Sequence, residues 1–248
     1  MFRTSEISKV KIVVDESEIL KGIIVKFSIE LDEDVIRKVF YEAQKKYQRM
    51  HYESSEQRFD KSWTGEVGEN TVKEILQKVF SLKISAKPGK LTETGYDYGD
   101  VHFGNSIKFV ANVTSRKLSK YDNEINIFTR PDQYYVLIPR DQLKHYTERS
   151  NFCFPVFIRY TEFKSYTLQE HNLEIPVAGV SVVPGFLRRE DILALVEKRV
   201  VFLKRKGKKL KGLYDDLRYS IPMYTDNYII PVNLLRNLEV FKYDLSSF

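Results

Sequence analysis

Apolar and polar positions along this chain switch between two periods, and each switch marks an element. Residues 10–14 and 22–31 read as a strand pair, the second alternating at Ile23, Val25, Phe27 and Ile29. Asp32 or Asp34 is placed to cap a helix whose apolar stripe is Val35, Ile36, Val39, Phe40, Ala43 and Tyr47. Residues 51–62 are polar and break the pattern, as a linker does. A second helix is expected over 66–80, burying Val72, Ile75, Leu76 and Val79. Strands follow over 82–86, 99–104 and 106–114. On the last, Ile107, Phe109, Ala111 and Val113 alternate with Lys108, Val110, Asn112 and Thr114. Residues 134–139 are continuously apolar, the pattern of a buried central strand. Further strands are expected over 151–163 and 175–183, a helix over 188–203, and a short strand within 226–231.

Interleaving of this kind predicts an α/β (α+β) protein, a central mixed β-sheet flanked by helices. The polar stretch divides it into an N-terminal strand–strand–helix module, 1–62, and a core, 63–248 that ends in a basic segment. At 248 residues the chain is long enough to bury a real core, and 42% hydrophobic with 13% aromatic residues excludes a disordered one. A single cysteine, Cys153, excludes a disulfide framework and a cysteine zinc site; its apolar surroundings read as those of a buried structural thiol. The four histidines, His51, His102, His145 and His171, lack ligand spacing. No apolar run approaches the ~20 residues of a membrane span, and the first residues lack the apolar centre of a signal peptide. A cytoplasmic protein away from membranes is expected.

Candidate chemistry concentrates between Trp63 and Lys117. Gly65-Glu66-Val67-Gly68-Glu69 opens the second helix, and Gly95-Tyr96-Asp97-Tyr98-Gly99-Asp100 leads into a strand. Asp100 lies just before the turn Gly104-Asn105, so it starts the hairpin partner of the strand bearing Asn112 and Thr114. Glu69, Asp100, Asn112 and Thr114 are therefore placed to converge. Three residues of this stretch also have a plainer role: Glu69 as a helix-dipole partner, Asp97 as a turn former, and Asn112 as part of a satisfied core network. The second feature is Lys204-Arg205-Lys206-Gly207-Lys208-Lys209-Leu210-Lys211, six basic residues in eight. With a formal charge of +6 and a pI near 9.1, it permits an acidic partner. Phosphate-binding loops, nucleophile elbows and dinucleotide fingerprints are absent from the sequence.

This order of parts resembles the PD-(D/E)xK nuclease superfamily, the restriction-endonuclease-like fold. Its pattern is a Gly-x-x-Gly-Glu helix start, an Asp at a strand entry, and an (Asp/Glu)-x-Lys on the next strand. Gly65 to Glu69 matches the first element and Asp97 or Asp100 the second. In the third, Asn112 stands at the acidic position and Thr114 at the lysine position, followed by Ser115-Arg116-Lys117. The resemblance covers residues 63–140 well and the rest loosely. It implies a restriction-like core and a Mg2+ (or Mn2+) ion held by Asp100, Asp97 and Glu69. It also implies a catalytic set of Glu69, Asp100, Asn112 and Thr114, with Lys117 as a migrated lysine. Arg116, Lys117, Lys120 and the basic residues Lys204, Arg205, Lys206, Lys208, Lys209 and Lys211 are then the expected contacts to nucleic acid. DNA is the expected partner, with RNA left open and a homodimer allowed. The function expected is a metal-dependent DNA endonuclease. The alternative is a degenerate relative that binds nucleic acid or a partner protein, and an assembly protein stands third.

Overall fold

The computed structural model describes residues 1–14, 17–46, 54–85, 100–119, 122–197, 202–204 and 226–246. Its strands are β1 (Phe2–Val14), β2 (Ser17–Ile29), β3 (Ile84–Ser85), β4 (Val101–Phe103), β5 (Phe109–Lys117), β6 (Tyr135–Pro139), β7 (Phe152–Leu168), β8 (His171–Val183), β9 (Leu187–Arg188), β10 (Phe202–Lys204) and β11 (Asn227–Pro231). Its α-helices are α1 (Glu33–Lys46), α2 (Ser55–Lys78), α3 (Asn126–Thr129), α4 (Leu143–Glu148), α5 (Arg189–Glu197) and α6 (Phe241–Ser246). The main sheet runs β1-β2-β8-β7-β5-β4-β3, with β9 beside β7. It is mixed, because β5 and β7 are parallel while the neighbouring pairs are antiparallel. A parallel pair needs a crossover, and the chain between β5 and β7 supplies α3, β6 and α4.

Strand β7 shows how the sheet is buried on both faces. Phe152, Phe154, Val156 and Ile158 join one core with α1 and α2, through Ile36, Phe40, Phe59, Trp63 and Val72. Cys153 and Phe157 join a second core with Ile127, Val136, Tyr146, Ile192 and Ile230. This double burial explains the continuous apolar run. Helix α2 is seated by specific bonds: Trp63 Nε1–H donates to the Pro176 carbonyl at 3.0 Å, and Thr71 Oγ1 lies 3.1 Å from Ser181 Oγ.

Three expectations are corrected. Helix α2 begins at Ser55 and not at Glu66, so the polar stretch before Trp63 is largely helix. Its start is a capping box: Ser54 Oγ accepts from the Gln57 amide at 3.2 Å, and Gln57 Oε1 from the Ser54 amide at 3.0 Å. The division after Ser62 thus falls inside α2, and β2 pairs with β8, so the N-terminal strands continue the main sheet. Residues 134–139 were expected in the central sheet. Instead β6 belongs to a three-stranded sheet, β10-β11-β6, whose Val136, Ile138 and Ile230 cover the second face. Of the helix expected over 188–203, the described residues show α5 over Arg189–Glu197, and Phe202 lies in β10.

Candidate functional site

Antiparallel pairing of β4 with β5 sets Val101 against Ala111, and Asp100 immediately precedes Val101. Two bonds tie Asp100 to β5. The Asp100 amide donates to the Ala111 carbonyl at 2.9 Å, and the Val113 amide to Asp100 Oδ2 at 2.6 Å. The Asp100 carboxylate therefore satisfies a strand N–H where β4 has ended. On the other side of β5, Asn112 is the register partner of Cys153 on parallel β7. Asn112 and Cys153 are thus neighbours across β5 and β7, with Asp100 bonded to the other edge of β5 beside them.

Asn112 is 1% exposed, and among the described residues neither its Oδ1 nor its Nδ2 has a hydrogen-bond partner. Buried amides left in that state are rare and mark strain, a water or a ligand. Two residues on, Thr114 Oγ1 lies 3.2 Å from the Tyr146 hydroxyl and 3.7 Å from Cys153 Sγ. Burial pushes the Tyr146 phenol far above its ordinary value; the neighbouring Cys153 and Asp100 add to this, while Thr114 opposes it. Burial likewise pushes the Cys153 thiol up to about 12, opposed by the Thr114 hydroxyl and helped by Asp100. Both groups are neutral hydrogen-bonding neighbours at physiological pH.

Asp100 is bonded to the backbone of β5 beside Asn112 and Thr114, whereas Glu69 stands on α2. Helix α2 covers the opposite face of β5: a Cβ at Gly68 would touch Ser115 Oγ and lie 3.4 Å from Val113 Cγ1. Val113 and Ser115 alternate with Asn112 and Thr114, so the helix and the polar row are separated by the sheet. Glu69 pairs with Lys73 at 3.8 Å on α2. Lys117 shares the α2 face, pairs with Asp60, and places its ammonium 5.3 Å from the Tyr160 ring centroid. Arg116 stacks 4.3 Å over the Tyr135 ring and donates to its hydroxyl at 3.2 Å, bridging the two sheets. Asp97, Lys120, Arg205, Lys206, Lys208, Lys209 and Lys211 lie outside the described residues, as does the Lys204 side chain.

Among the described residues, no three His, Cys, Asp or Glu side chains gather to hold a metal. The oxygen donors of the polar row are the Asp100 carboxylate, with one oxygen bonded to Val113, and the Asn112 amide. The sequence singles out Asn112 and Thr114 but not Tyr146, and Cys153 reads there only as a buried structural thiol. No described helix is long and apolar enough to cross a membrane. No protein-family model matches the chain, and no curated protein or solved structure matches it.

Proposed function

We propose that the chain is a catalytically degenerate relative of the PD-(D/E)xK nucleases that binds nucleic acid without cutting it. Support for the restriction-like core comes from element order: α2, then the antiparallel run β3–β4–β5, then a crossover to parallel β7. The observation that carries the loss of chemistry is the fate of the lysine. Thr114, at the lysine position, is bonded to Tyr146, and Lys117 lies across the sheet on Asp60. Thr114 carries no charge, and the Lys117 ammonium lies on the α2 face of β5. The binding half rests on the +6 charge and the basic run from Lys204 to Lys211.

Labelled duplex, single-stranded DNA and RNA, titrated over a salt range with Mg2+ and Mn2+, test both halves. Binding that weakens with salt, and no cleavage, is expected. Metal-dependent cleavage that disappears in Asp100→Ala overturns the proposal in favour of the endonuclease. Absence of binding to all three nucleic acids overturns its binding half.

The endonuclease remains a second reading because of Asn112. Among the described residues its buried amide has no hydrogen-bond partner, and it stands at the position where the family has a metal ligand. Asp100 and Asn112 are the residues that would hold Mg2+, which takes oxygen ligands and keeps several waters. A bound ion would polarise the phosphoryl oxygen and lower the pKa of a water. Asp100 would supply the one negative charge.

A further inference from the structure

We draw no further inference here: the strongest candidate, the buried Asn112 amide beside Cys153 on the main sheet, with no hydrogen-bond partner among the described residues, belongs to the site already described, and the ligand its chemistry fits is the ion that the family resemblance already implies.

Discussion

Gly68 on α2 lies so close over Ser115 on β5 that a Cβ at Gly68 would collide with the Ser115 hydroxyl. Ser115 Cβ would stand at 3.0 Å, so the clash is with the strand as well as with a movable oxygen. Gly65, one turn earlier, has nothing within 4 Å. The two glycines of the Gly-x-x-Gly-Glu segment therefore have different physical weights.

Substitutions separate them. Gly68→Ala should cost about 1–3 kcal/mol, as overpacking of a close interface does. Gly65→Ala sits in open space within a helix and should stabilise by up to about 1 kcal/mol. Urea denaturation of both variants checks the pair. Ser115→Ala should recover part of the Gly68→Ala loss by removing the oxygen. Equal effects at the two glycines would show that helix propensity, and not contact with β5, governs both.

The elements with local periodicity were legible in the sequence, and those chosen by tertiary pairing were not. Alternation at Ile23, Val25, Phe27 and Ile29 marks one face of β2 because side chains alternate along any strand. The same rule places Asn112 and Thr114 together, and the hairpin register adds Asp100. Which face α2 would cover is a packing choice, so the position of Glu69 does not follow from spacing. Likewise β6 looks like any buried strand, and its partner Ile229 comes from a distant part of the chain. The early start of α2 was readable in Ser54-x-x-Gln57, followed by Phe59 and Trp63 four residues apart. Surrounding charged residues obscured it.

Asn112 should cost the folded protein stability. A buried donor or acceptor left unmade costs about 1–3 kcal/mol, whereas an apolar residue of similar shape avoids that penalty. Asn112→Leu should then raise the urea midpoint with an unchanged slope. The two functional readings diverge on metal. In the second, Mn2+ raises the melting temperature of the unaltered protein but not of Asn112→Leu or Asp100→Asn. In the first, the ion shifts none of them. A lower midpoint for Asn112→Leu would mean that the amide finds partners in solution.

The hydroxyl pair beside it is testable as a unit. Tyr146→Phe and Thr114→Val each remove one partner of a part-buried bond and keep most of the volume. A double-mutant cycle should give a coupling of about 0.5–1.5 kcal/mol. Coupling near zero would release Thr114 from Tyr146 and weaken the argument that the lysine position has been given over to structure.

Stability should fall on the alkaline side because of the same wall. The Cys153 thiol keeps its proton up to about 12 when folded, against an ordinary value of 9.0. Below 9.0 both states carry the proton and Cys153 adds no pH dependence. Between 9.0 and about 12 the unfolded chain releases it and the folded chain does not, so stability falls as pH rises. Tyr146, also raised, adds to the fall above its ordinary 10.0. Denaturation midpoints from pH 8 to 11 should decline, and Cys153→Ala should flatten the first part of that decline. An unchanged profile would show that the thiol ionises as readily in the folded protein as in the unfolded chain.

Lys117 distinguishes a lysine that has moved from one that has been lost. On β5 it occupies the face toward α2, where it pairs with Asp60 and its ammonium lies 5.3 Å from the Tyr160 ring centroid. The Lys117 side chain is 37% exposed and that of Asp60 41%, so their pairing is a surface ion pair worth about 0–1 kcal/mol. Lys117→Ala should therefore lower stability by no more than about 1 kcal/mol. Its charge is already offset by Asp60, so the salt dependence of nucleic-acid binding should keep its slope. A slope shallower by about one unit would instead place Lys117 on a phosphate. Loss of a metal-dependent cleavage activity on the same substitution would place it in the chemistry, and would mean that α2's face of the sheet, with Glu69, carries the site.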